Sequence, residues 1–251
     1  MLYDPLFLLI ACALVTMTGI SKAGFGAGVE MAVVPIMALF ILPATAAAIM
    51  LPILLTIDAA NLVRYRRDWN RTIVFTLVAA AFFGVLLGAY SFRALDPDVL
   101  RLALGVLALL FVAQRLVAGA LHRLPTKPGG VFTFVFGAMA GFTSFVAHAG
   151  GPPAKIVLIR HGLDKRAFVG TNGYLFAFIN ILKLGPYMAL GQITTDTLTG
   201  SLALAPFIPV GVLLGFWFNK RISETAFTVV IFSALALTGV KLIWDGMGVF
   251  L

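Results

Sequence analysis

The stretch from Gly19 to Pro35, G-I-S-K-A-G-F-G-A-G-V-E-M-A-V-V-P, interrupts an apolar run with spaced glycines (Gly24, Gly26, Gly28), a lysine and a glutamate. A second interruption, Gly141 to Lys155 (G-F-T-S-F-V-A-H-A-G-G-P-P-A-K), occupies the corresponding place in the second half of the chain. A helix broken at glycines leaves N–H groups unpaired where its next half begins, and the partial positive charge there favours an anion. The first break ends near Gly28 and the second at Pro152-Pro153. Proline suits a first helical turn because its missing N–H would be unpaired there anyway. The plainer account is that the glycines permit tight helix crossings. Two breaks at matching places favour the functional account, in which the pair meets around a solute.

The solvent follows from composition. Hydrophobic residues make up 61% and charged ones 11%, and the mean hydropathy of +1.05 lies far outside the range of soluble domains. The chain reads as an all-α polytopic membrane protein. Its 251 residues leave no room for a separate soluble domain. The expected organisation is one integral unit over 1–251, with repeat 1 at about 5–117, a connection at 118–130 and repeat 2 at about 131–251. The net charge of +8 does not indicate nucleic acid, because the basic residues sit in short loops between apolar runs, where membrane topology puts them. Cys12 is the one cysteine, so no intramolecular disulfide forms. The opening M-L-Y-D-P lacks the basic region of a cleavable signal, and 5–22 is expected to be retained as the first membrane segment.

The apolar runs fall at roughly 5–22, 29–42, 44–63, 72–92, 99–117, 131–148, 153–160, 167–190, 198–218 and 223–244. A span needs about 20 helical residues to cross about 30 Å of hydrocarbon. The run 29–42 is short for this, and 153–160, which carries Lys155 and Arg160, covers less than half the thickness. The latter is expected to be a half-helix or re-entrant leg, its irregular backbone buried in protein or lining a water-filled cavity. Basic clusters give the orientation: Arg64, Arg66, Arg67 and Arg71; Arg115, Arg123 and Lys127; Arg160, Lys165 and Arg166; Lys220 and Arg221. Placing all four in the cytoplasm leaves both termini outside.

Gly84-Val-Leu-Leu-Gly88 recurs as Gly211-Val-Leu-Leu-Gly215, an offset of 127. Upstream the halves align near an offset of 122, which pairs Gly19 with Gly141, Ser21 with Thr143, Asp58 with Asn180 and Asn61 with Lys183. With the charge map, the first copy approaches the outside and the second the cytoplasm, so the halves run in opposite directions. Five segments per half is the odd number that inversion requires. Inverted repeats with broken helices are a transporter architecture whose site lies near the midplane. The two G-V-L-L-G stretches themselves read as close helix packing.

Polar residues at membrane depth cost free energy unless they pair or face a cavity. Asn172, Asn180, Lys183 and Tyr187, spaced 8, 3 and 4 apart, share one helical face with Thr171 at its edge. Asp58 and Asn61 form a similar face, continued by Tyr65. Lys183, well inside its run, is the first candidate for a functional cation, and Lys22 beside the first break is its rival. Glu30, Asp58 and His148 are candidates for proton coupling. The plainer readings are a salt bridge from Glu30 to Lys22 or Lys155, and a helix cap for His148. Ser21, Thr143 and Ser144 are candidate hydroxyl donors to solute oxygens, with bonding to the preceding helical turn as the alternative. Gly24, Gly26, Gly28, Gly150 and Gly151 complete the expected binding set.

The break G-F-G-A-G-V-E-M-A-V-V-P, its recurrence as H-A-G-G-P-P, the A-F-V-G-T-N start of the eighth run and the duplicated layout resemble the TauE/SafE family of sulfite exporters, also called the toluene-sulfonate uptake permease family. The resemblance covers nearly the whole chain. It implies transport of sulfite, sulfoacetate, related organosulfonates or other small anions across a bacterial-type cytoplasmic membrane, usually outward, driven by a proton or the membrane potential. It also implies seven or eight membrane segments, which the ten runs match if the short ones are half-helices. The chain departs from the commoner glycine run at Glu30 and at Pro152-Pro153.

Other classes fare less well. His122, His148 and His161 are scattered, and no metal, paired-cysteine or phosphate-loop pattern is present. No enzyme activity, cofactor or metal is therefore expected. A channel could use the same half-helix ends, and an uptake permease for another small anion is the remaining alternative. The expected partners are a small anionic solute and the lipid bilayer, with no nucleic acid; a homodimer is compatible with the chain. The resulting expectation is a secondary transporter in which one repeat moves against the other.

Overall fold

The computed structural model describes residues 4–22, 28–121, 128–218 and 224–248, and among these the regular structure is all helix. The helices are α1 (Pro5–Ile20), α2 (Glu30–Met37), α3 (Pro43–Arg64), α4 (Arg71–Ala94), α5 (Pro97–Leu121), α6 (Gly130–Ala147), α7 (Gly151–Ile159), α8 (Lys165–Ala189), α9 (Thr195–Leu204), α10 (Phe207–Phe218) and α11 (Glu224–Met247).

Their ends follow local chemistry. Asp4 caps α1, its carboxylate accepting from Leu6 N at 2.8 Å and Phe7 N at 3.2 Å, with Pro5 in the first turn. Asp164 caps α8 in the same way, accepting from Arg166 N and Ala167 N. Thr194 and Thr197 exchange side-chain bonds at the start of α9. The run 198–218 divides between α9 and α10, which the apolar pattern alone did not indicate. Pro206 lies in the intervening turn; proline has no N–H to donate and its ring crowds the preceding turn.

Among the described residues, seven stretches are long and apolar enough to cross a membrane: Pro43–Arg64, Arg71–Ala94, Pro97–Leu116, Gly130–Ala147, Lys165–Ala189, Thr195–Leu214 and Val229–Met247. The chain is a multi-pass membrane protein. Large apolar side chains on the outer faces, among them Phe83, Leu87, Leu110, Leu202 and Trp244, suit contact with lipid. The 8-residue α2 and the 9-residue α7 rise only about 12–14 Å. Both have the length of half-helices.

The helices group into two compact units, and each draws on both halves of the sequence. One takes residues 1–53, 95–113 and 192–251; the other takes 54–94 and 114–191. In the second unit α4 lies against α6 so closely that a Cβ on Gly84 would stand 1.9 Å from Ala138 O, and one on Gly141 2.1 Å from Ala81 O. In the first, α1 lies against α10, and a Cβ on Gly211 would stand 2.3 Å from Thr16 O. Gly84 and Gly211 are 127 apart, and Ala138 and Thr16 are 122 apart, the two offsets that align the halves. The same close approach thus recurs in both units, as duplication of one packing solution would produce. The packing reading of the G-V-L-L-G pair holds for Gly84, Gly88 and Gly211.

Candidate functional site

The second break lies wholly within one unit. Helix α6 ends at Ala147, and His148 turns the chain with a left-handed backbone, φ 52°. That conformation usually falls to glycine and costs other residues about 1–2 kcal/mol. Two backbone bonds hold the turn, from His148 N to Ser144 O at 3.0 Å and from Ala149 N to Thr143 O at 3.1 Å. Gly150 then leads into α7, with Pro152 and Pro153 in the first turn. Gly150 is required sterically, since a Cβ would sit 2.5 Å from Ala140 O, whereas among the described residues nothing lies within 4 Å of a Cβ on Gly151.

Lys183 reaches this break from α8. It has no solvent exposure, so it does not snorkel. Its Nζ donates to Ser144 O at 3.0 Å and Ser144 Oγ at 3.2 Å, and stands 2.7 Å from His148 Nδ1. Placing a lysine at the centre of a membrane helix costs about 2.5–3.5 kcal/mol on insertion scales. Hydrogen bonds from a charged donor return about 1.5–3 kcal/mol each, so three partners suffice to hold the ammonium. The C-terminal end of α6 contributes its partial negative charge. Lys183 stands three-quarters of the way along α8 from Lys165, beyond the middle of that helix.

One turn back along α8, Asn180 Nδ2 donates to Asp58 Oδ2 at 2.6 Å, and both residues are buried. These two are one of the four pairs that the offset of 122 aligns. Tyr187, one turn further on, donates its hydroxyl to Phe145 O at 2.7 Å. Asn172 is buried on the same helix, and among the described residues its Oδ1 has no hydrogen-bond partner. The expected face of α8, comprising Asn172, Asn180, Lys183 and Tyr187, is therefore buried throughout. Thr143 bonds back to Met139 O at 2.8 Å, the plainer of its two readings, whereas Ser144 turns to Lys183.

The first break is described in part, because Gly24 and Gly26 lie outside the described residues. Ser21 is buried at the end of α1. Lys22 Nζ is 3.5 Å from Glu30 Oε1, and Glu30 Oε2 accepts from Gly28 N at 3.4 Å in the first turn of α2. The ion pair to Lys22 is the plainer reading made for Glu30. Gly28 has φ 148°, a backbone that glycine alone adopts without strain, so its first role is conformational.

Sequence reasoning missed how the turn between α3 and α4 grips the start of α8. Trp69 stacks on Tyr174 with ring centroids 4.0 Å apart and 3° between planes. Asn70 N donates to Thr171 Oγ1 at 3.0 Å, Arg166 Nε donates to Asp68 Oδ2 at 2.9 Å, and Tyr174 Oη donates to Leu62 O at 3.2 Å. A lone tryptophan among arginines was the available signal, but nothing local ties it to a tyrosine over a hundred positions later.

A family model described as "Sulfite exporter TauE/SafE" matches residues 9–242, nearly the whole chain. No curated protein and no solved structure gives a match.

Proposed function

Because the chain belongs to the TauE/SafE sulfite exporter family, a family of membrane transporters, we propose that it is a secondary carrier exporting sulfite or a small organosulfonate such as sulfoacetate. In this reading it works by alternating access in the cytoplasmic membrane, with both termini outside, as the arginine and lysine clusters favour. The anion is held at the second break by Lys183, Ser144 and the first turn of α7 at Gly150 and Gly151, with Asn180 and Asp58 behind. The observation that carries the reading is Lys183: a side chain wholly withdrawn from solvent in a membrane helix and set against a break at which, among the described residues, nothing would meet a Cβ on Gly151. Ionisable residues in such positions mark solute and ion pathways.

Flux into proteoliposomes tests it. A carrier shows saturable sulfite or sulfoacetate uptake that is accelerated by the same anion on the far side, and Lys183→Met weakens it. Unsaturated flux following the membrane potential alone identifies a channel and overturns the carrier reading. Wild-type affinity and turnover in Lys183→Met remove that residue from the site.

A further inference from the structure

We infer that Lys183 and His148 together form the proton-coupling element of the carrier, admitting the anion and about one proton together. The inference rests on the anion-carrier reading above. Two observations carry it. The first is the 2.7 Å separation of Lys183 Nζ and His148 Nδ1. At that distance one nitrogen must present a lone pair to the other, so the contact holds at most one positive charge. The second is backbone conformation. His148 occupies a left-handed position where glycine would be free of strain, and side chains held at such positions cluster at binding and switch sites.

The consequence is a linked pair of events. With one proton shared, Lys183 is turned toward Ser144 and His148 and has little to offer an anion. A second proton, taken from water onto His148 Nδ1, uses the lone pair that had accepted from Lys183. The contact breaks, and two cationic donors then face the break. An arriving anion satisfies both. By reciprocity, whatever the second proton adds to anion affinity, the anion adds to proton affinity. A monovalent anion therefore moves with its proton as a neutral pair, so the membrane potential does not drive it and export runs only where the combined gradients of anion and proton point outward.

Other titratable groups sit on the helices packed here. Helix α6 carries no other. Asp58 of α3 is bonded to Asn180. Lys155 lies in the second turn of α7. On α8, the Tyr187 hydroxyl is committed to Phe145 O, Tyr174 lies under Trp69, and Lys165 and Arg166 are exposed. Helix α4 contributes Arg71, Tyr90 and Arg93, all exposed.

The test uses His148→Asn in the full chain. Asparagine tolerates the left-handed backbone, and its Oδ1 can accept from Lys183, but it does not titrate. Proton uptake is measured alongside the flux of sulfite and of ethanesulfonate, a permanent monoanion, with the potential clamped. The inference expects about one proton per ethanesulfonate in the wild type, unchanged flux across clamped potentials, and, in His148→Asn, loss of proton uptake together with weaker anion binding that no longer depends on pH. Ethanesulfonate or sulfite flux without protons, or an unchanged proton count in His148→Asn, overturns the coupling and leaves the carrier reading standing. If neither anion moves, the carrier reading fails, and 15N resonances of His148 judge the pair. A bare Nδ1 at neutral pH supports the shared charge, and a doubly protonated ring overturns it.

Discussion

Replacing Gly84 with alanine tests the packing on which the cluster at the second break depends. The new Cβ would lie 1.9 Å from Ala138 O and 2.6 Å from Phe142 N, both backbone atoms of α6. No side-chain rotation relieves such a clash. Restoring an ordinary contact of 3.4 Å requires α4 and α6 to part by about 1.5 Å. Parting them loosens a seam that also includes Gly88, Gly137 and Gly141. The expected loss is at or above the upper end of the about 1–3 kcal/mol typical of overpacking. The control is Gly185→Ala on α8, where no described residue lies within 4 Å of the new carbon; it should be neutral or gain up to about 1 kcal/mol in helix propensity. Reversible unfolding in mixed micelles of increasing denaturing detergent measures both. Gly211→Ala, whose Cβ would meet Thr16 O at 2.3 Å, should behave like Gly84→Ala if the recurrent approach reflects one duplicated solution. Equal midpoints for Gly84→Ala and Gly185→Ala would refute the argument. Since Ser144 and His148 lie just beyond Gly141 on α6, Gly84→Ala should also weaken anion binding.

Two further outcomes are expected. Glu30→Gln removes the carboxylate that faces Lys22 and Gly28; if Glu30 takes part in coupling, the pH profile of flux changes, and an unchanged profile confines it to an ion pair. Asp164→Ala deletes the cap that accepts from Arg166 N and Ala167 N and should cost about 1 kcal/mol in the same unfolding assay, while a shift near zero would show the cap to be dispensable in the membrane.

The half-helices were legible because length is a local property. A stretch of eight or nine residues cannot reach across hydrocarbon whatever surrounds it. The buried face of α8 was legible for a similar reason: residues 3, 4 and 8 apart share a side of any α-helix, so Asn172, Asn180, Lys183 and Tyr187 had to lie together. The grip of Trp69 and Asn70 on α8 was not, because it depends on where a turn lands after two helices have packed. The division of 198–218 was within reach, since Pro206 and Pro209 stand inside it, but the apolar content of the run concealed the turn.

By itself the sequence determined the solvent, the helical class, the two breaks and the residues that share a helical face, since composition and periodicity act over a few turns of chain. The recurrence of G-V-L-L-G was also visible in it. Only the tertiary structure decided partners. Lys183 meets Ser144 and His148, 39 and 35 positions away, and Asp58 meets Asn180 at a separation of 122. It also decided that each compact unit is assembled from both halves. Those choices belong to helix packing, in which a glycine such as Gly84 sets how near two backbones come and thereby which polar side chains are brought within reach.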